Sequence, residues 1–252
     1  MTRVPVPTDT TAGGTTNAYL LGDPALLVDP GGRTAALDAA VADRSVAHVA
    51  VTHAHPDHVG GVAHYARETG ATVWARRGRE ARFESAAGVA PNRAFGEGDA
   101  VGPATVIETP GHAPDHVAFA VGDRVLCGDL AVATGSVAVA APEGDLRAYL
   151  ASLRRLRVRD PGRLLPGHGP EIADPQATLD RLLAHRRDRE RRILAAVEAG
   201  ARTVDDALDA AYEKDLGGVR ALARATVVAH VEKLAVEGRV RYDRASGAVR
   251  PL

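Results

Sequence analysis

Three histidines and an aspartate fall within the six positions from His53 to His58, in the stretch VTHAHPDHVGG, directly behind an apolar run. Residues 46–53 (VAHVAVTH) are broken only by His48 and Thr52 before His53 and read as an interior strand. Residues 58–70 (HVGGVAHYARETG) read as a helix closed by Gly70. The four polar residues therefore occupy a strand-to-helix turn. His53 and His55 are two apart, so an extended chain would point both the same way. Asp57 and His58 follow across Pro56, where the helix begins. Imidazole together with carboxylate suits Zn2+, Mn2+ or Fe. The competing reading is a histidine-rich surface turn.

The pattern recurs at other strand ends. His112 stands in TPGHAPDH behind residues 104–108, Asp129 in LCGDLA behind residues 124–127, and His168 in LPGHGP behind residues 163–165. Each is flanked by glycine, which lets backbone approach a crowded centre. Independent coincidences of this kind favour a metal site over the surface turn. Cys127 reads as packing, and His48, His64 and His230 as structural. His116 is read equally as a residue orienting a ligand and as a strand-start histidine at the surface.

Strands and helices alternate through the first 170 residues, as a layered α/β fold requires. Residues 17–22 and 25–32 read as neighbouring strands joined by Gly-Asp-Pro, and residues 34–42 as a helix with Thr34 as N-cap. Gly122-Asp123 between two alternating runs signals a hairpin. The character shifts at Asp174-Pro175. A long helical stretch to Gly200 is followed by helical patterns at residues 203–212 and 219–238, then by a period-two ending about residues 245–247. Helix, helix and hairpin make a winged-helix-like order.

Composition narrows the partners. Lysine and arginine number 31 against 32 aspartate and glutamate, a net charge of −1, so no overall field points to nucleic acid or membrane. With one cysteine the chain can form no internal disulfide, which suits a reducing cytoplasm. MTRVPVPTDTTAGG lacks the apolar centre of a signal peptide, and no apolar run is long enough to span a bilayer. The expectation is a cytoplasmic protein. HRRDRERR, residues 185–192, invites RNA contact; the alternative is a solvated helix face.

The series His53, His55, Asp57 and His58, then His112, Asp129 and His168, resembles the ligand set of the metallo-β-lactamase-fold hydrolases. GHGP leading into a helix that carries His185, Arg186, Arg189 and Glu190 is similar to the branch typified by β-lactamase-like protein 2. The resemblance implies an αβ/βα four-layer sandwich over residues 1–174 and a linking helix with a small winged-helix-like domain over residues 175–252. It implies two divalent metal ions, zinc first and manganese or iron as alternatives. His53, His55 and His112 would hold one ion, Asp57, His58 and His168 the second, and Asp129 would bridge them. A metal-bridging hydroxide would then be the nucleophile, with Asp57 steering it and taking its proton. The expected substrate is a small-molecule acyl thioester or related acyl bond, the alternative a single-stranded RNA. The C-terminal segment is expected to pack beside the active-site mouth, where it either shapes the pocket or forms the contact of a homodimer. A DNA-binding regulator is the weakest reading, because the segment 219–238 is too apolar for an exposed recognition helix.

Overall fold

The computed structural model describes residues 1–9, 14–212 and 216–252. The signal-peptide reading spans residues 1–14, of which 10–13 lie outside the described residues. By its internal contacts the chain divides into two compact units. The first comprises Met1–Thr109, Asp115–Gly135 and Arg159–Thr178, the second Pro110–Pro114, Ser136–Val158 and Leu179–Leu252.

The first unit is built on two sheets. One runs β1 (Thr2–Pro7), β2 (Thr15–Leu21), β3 (Ala25–Val28), β4 (Val46–Ala50), β5 (Thr72–Arg76) and β6 (Arg93–Phe95) in that order. The other holds β7 (Ala100–Val101), β8 (Ala104–Glu108), β9 (Val117–Val121), β10 (Arg124–Gly128) and β11 (Arg163–Pro166), again in sequence order across the sheet. Pairing is antiparallel from β1 to β3 and parallel from β3 to β6. β7 to β10 are antiparallel, and β11 returns parallel to β10.

Period-two alternation sorts the side chains into two cores. Ala18, Leu20, Leu27 and Val49 join a core with α1 (Ala35–Ala42), α2 (Pro56–Val59), α3 (Val62–Thr69) and α4 (Glu80–Ala87). Their neighbours Tyr19, Leu21, Leu26 and Ala50 point the other way, into a core shared with Val106, Phe119 and Leu126 of the second sheet. Strands buried on both faces explain why these segments read as nearly unbroken apolar runs.

The hairpin at Gly122-Asp123 forms, and Thr34 caps α1 by accepting the Leu37 N–H at 3.1 Å. The helix expected over residues 58–70 is in fact two, α2 and α3, separated at Gly60-Gly61. The reason is a backbone crossing. Gly61 N–H donates to Pro30 O at 2.6 Å, and a Cβ added at Gly60 would lie 2.5 Å from Gly31 O. β1, α4, β6 and β7 were not legible as elements, being short or rich in proline, glycine and arginine.

α5 (Leu146–Arg159) and α6 (Pro175–Glu198) contribute most of their lengths to the second unit, followed by α7 (Val204–Ala211), α8 (Arg220–Val236), β12 (Val240–Asp243) and β13 (Ala248–Pro251). Thr203 and Asp206 form a reciprocal capping box on α7. Ile193, Val197, Leu208, Val227, Val231, Val240 and Val249 make one core from these elements. Among the described residues no helix is long and apolar enough to cross a membrane.

Candidate metal centre

Six of the seven residues singled out in sequence lie in the first unit, at the ends of parallel or adjacent strands. The turn between β4 and α2 carries His53, His55, Asp57 and His58; Asp129 follows β10 and His168 follows β11. They converge. One donor atom each from His53, His58 and Asp129 falls within 4.8 Å of the others, and so do those of Asp57, His58 and His168. His53 Nε2 lies 2.9 Å from His55 Nδ1. His58 Nε2 and His168 Nε2 stand 3.4 Å apart, and His168 Nε2 is 3.3 Å from Asp129 Oδ2 and 3.4 Å from Asp57 Oδ2.

The opposite edges of these rings are held. Asp29, buried at the end of β3, takes the Thr52 N–H at 2.6 Å on Oδ1 and the Thr52 hydroxyl at 2.8 Å on Oδ2. With its proton spent on Asp29, the Thr52 oxygen is left to accept from His53 Nδ1, 3.1 Å away. Asp29 Oδ2 also takes His58 Nδ1 at 3.0 Å. His168 Nδ1 donates to Thr15 O at 2.9 Å. His53, His58 and His168 thus turn Nε2 toward the shared volume, the arrangement that fixes tautomer and aim in metal sites, whereas His55 meets His53 Nε2 through its Nδ1. Burial pushes the His58 imidazole down, but Asp29, Asp129 and Asp57 outweigh it and raise it to about 9. Facing carboxylates and imidazoles of this kind need a proton or a cation among them, and the N/O donor set suits a divalent metal ion.

Backbone packing makes the volume small. A Cβ at Gly167 would meet Asp129 Oδ1 at 2.6 Å and His58 Cε1 at 2.7 Å. One at Gly31 would lie 1.9 Å from Asp57 O. The loop bearing His168 is pinned by Asn17, whose side-chain amide donates to Pro166 O and Gly169 O, and by the Tyr19 hydroxyl, which donates to Pro166 O at 2.8 Å. Asp115 accepts the Ala54 N–H at 2.8 Å and is itself held by Arg82 at 3.0 Å. Asn17, Tyr19, Asp29, Thr52 and Asp115 were missed in sequence. Only Asp29, an acid closing an all-apolar strand before Pro-Gly-Gly, carried a local signal.

His116 is settled by its bonds. Its Nε2 accepts the Asp129 N–H at 3.1 Å, so Nδ1 donates to Thr109 Oγ1 at 2.8 Å. It is a buried holder of the Asp129 backbone. Cys127 is also buried, its thiol pushed up to about 12 by burial. The register shift between Leu126 and Gly128 breaks the period-two relation that would have placed it on the Asp129 face. His112 belongs to the second unit, on Pro110–Pro114, where its Nδ1 donates to Ala138 O at 2.7 Å.

Residues 11–168 match the metallo-beta-lactamase superfamily. The chain belongs to that superfamily. As a member it is a metal-dependent hydrolase of α/β fold, from a superfamily whose members bind divalent metals. It is 31% identical over 220 residues to an atrochrysone carboxyl ACP thioesterase of Aspergillus fumigatus, covering 80% of this chain and 66% of that protein. It is 30% identical over 244 residues to a beta-lactamase-like protein 2 homolog of Caenorhabditis elegans, covering 89% of this chain and 80% of that one. The crystal structure of the metallo-beta-lactamase family protein TTHA1429 from Thermus thermophilus superposes with a TM-score of 0.81 at 26% identity, over 100% of this chain and 98% of that one.

Proposed function

We propose that this metallo-beta-lactamase superfamily hydrolase is dinuclear and cleaves acyl thioesters. The observation that carries the proposal is the pair of overlapping donor triads, His53/His58/Asp129 and Asp57/His58/His168. In this reading His53, His55 and His112 serve one ion, Asp57, His58 and His168 the other, with Asp129 common to both. His112 is included on its PGH pattern behind β8. Zinc is the first choice of metal, and manganese or iron accept the same donors.

Divalent ions held there supply an acidified water and a polarised acyl carbonyl. The chain's own residues do the rest. Thr16 donates to Asp57 Oδ2 at 3.3 Å, fixing a carboxylate that orients the attacking water and takes its proton. Asp29 and Thr52 keep His53 and His58 aimed while charge builds on the carbonyl oxygen. Water is consumed, and a carboxylic acid and a thiol are released.

The thioester assignment is supported by the name of the Aspergillus fumigatus relative and by the near-balanced charge of the chain. RNA is not favoured by the arginines of α6. Arg186 is buried, Arg189 donates to the Tyr212 hydroxyl, and Arg191 and Arg192 pair with Asp188. We take residues 1–174 as the catalytic domain and residues 175–252 as a linking helix with a winged-helix-like domain, on the order α7, α8, β12, β13. The single cysteine is compatible with action in the cytoplasm. A second copy of the chain is not needed for this reading.

Side-by-side assay of an acyl thioester and a labelled single-stranded RNA, with Asp129→Ala as control, tests the proposal. Thioester turnover lost in the variant is the expected result. RNA cleavage lost in the variant, with the thioester untouched by either protein, would replace acyl transfer with nuclease chemistry.

A further inference from the structure

The string His185, Arg186, Arg189 and Glu190 on α6 takes no part in the proposed hydrolytic chemistry, yet Arg186 is 1% exposed. A guanidinium keeps its charge when buried, and its burial is unfavourable unless acceptors or an aromatic face meet it. Its surroundings are specific. Arg186 donates to Val137 O, and its guanidinium carbon lies 5.2 Å from the centroid of the Tyr149 ring. Val137 belongs to a strap of chain, residues 136–138, and one residue further along it Ala138 O accepts from His112 Nδ1 at 2.7 Å. One residue back, Ser136 Oγ lies 3.4 Å from His185 Nε2. Two successive residues of α6 therefore hold the strap that presents a carbonyl to His112.

Arg186 also reaches His112 by a second path. The turn around His112 rests on α5: Asp145 N–H donates to Gly111 O at 2.9 Å, and the Ser152 hydroxyl donates to Pro110 O at 2.8 Å. Between them stands Tyr149, whose backbone nitrogen would be 2.2 Å from a Cβ placed on Gly111. Gly111, at φ 136°, is the residue that permits this approach. Tyr149 is thus packed under the His112 turn on one side and faces the Arg186 guanidinium on another.

We propose that Arg186 is a positioning residue for His112. By fixing the Val137 carbonyl and the Tyr149 ring, it holds Ala138 O where that oxygen accepts a hydrogen bond from His112 Nδ1–H and so leaves the lone pair on Nε2 for a metal ion. The inference rests on the ligand role proposed above for His112. Partners that orient a ligating imidazole are worth about 10–100-fold in metal affinity, and Arg186 acts one step behind such a partner.

The test is metal titration of the metal-free full chain, with zinc competed against a chromophoric chelator and with cobalt followed by its visible absorption bands. The wild type, Arg186→Gln, Arg186→Lys and His112→Ala are compared. His112→Ala is expected to weaken one of two equivalents. Arg186→Gln should weaken that same equivalent by about tenfold or more, leave the other unchanged and shift the cobalt bands. Arg186→Lys, which keeps the charge but not the planar stack, should fall between. Two wild-type affinities in Arg186→Gln, with one lost in His112→Ala, would overturn the positioning role and leave the ligand role standing. Both equivalents retained in His112→Ala would remove the ligand role itself. Equal weakening of both ions by Arg186→Gln would mark general damage and overturn the proposal too. Should Arg186→Gln fail to fold, nitrogen-15 NMR of the imidazoles decides. Wild-type His112 should be the Nδ1–H tautomer and Arg186→Lys a mixture; an unchanged tautomer in Arg186→Lys would sink the idea.

Discussion

Asp29 Oδ2 stands 3.0 Å from His58 Nδ1, and both side chains are buried. Asp29 also takes two hydrogen bonds from Thr52, whose oxygen in turn meets His53, so one carboxylate at the end of β3 aims two imidazoles. Its backbone sits at φ 52°, a left-handed conformation that asparagine tolerates well. Asp29→Asn therefore preserves the turn while removing the charge and one acceptor. Metal affinity is expected to fall about 10–100-fold, read by chelator competition, with little change in the circular dichroism of the chain. Wild-type affinity in this variant would show that the Asp29–His58 pair is only structural.

Gly167 tests whether the small volume between His58 and Asp129 is a binding site. A methyl there would stand 2.6 Å from Asp129 Oδ1, so the carboxylate must move. Overpacking costs about 1–3 kcal/mol, which corresponds to about 5–150-fold if it falls on the ion's donors. Gly167→Ala should lose metal and thioester turnover together. Gly218→Ala, whose added Cβ meets nothing within 4 Å, should change neither. Full metal content in Gly167→Ala would argue against the donor set.

Phe119 measures the core between the sheets. It is fully buried and meets Phe95 edge-on, with ring centroids 5.7 Å apart. Phe119→Ala is expected to destabilise the chain by about 3–5 kcal/mol in urea denaturation, since a cavity adds to the lost transfer energy. A loss under about 1 kcal/mol would mean that the two sheets do not depend on this contact.

How much of this was readable beforehand follows from how local each signal is. The HxHxDH turn, the hairpin at Gly122-Asp123 and the cap at Thr34 are encoded within a few neighbouring residues, and sequence reading found them. Asn17 and Tyr19 act on a loop near residue 167, across the sheet and far along the chain, with no local mark to show it. The split between α2 and α3 depends on Pro30 and Gly31 crossing behind Gly60 and Gly61. The arginines of α6 read as a solvated or nucleic-acid-facing run because helical periodicity cannot tell that Arg186 meets Val137 and Tyr149.

His185 gives the second unit an acid-sensitive edge. Burial comes first, then the guanidiniums of Arg186, Arg189 and Arg192, and together they hold its imidazole down at about 4 against an ordinary value near 6.5. The folded chain therefore resists the proton that the unfolded chain accepts. The contribution is fully present above about pH 6.5 and is lost as pH falls from there toward 4. His230 is shifted the same way, chiefly by burial, and so adds to the same loss. Glu190 is held below the usual carboxylate range, since His230 and Lys233 outweigh its burial, and its share fades at still lower pH. Urea midpoints of the metal-free chain at pH 7 and pH 4.5 should fall less for His185→Gln than for the wild type, because glutamine takes up no proton. An identical fall in the two proteins would place the acid sensitivity elsewhere in the fold.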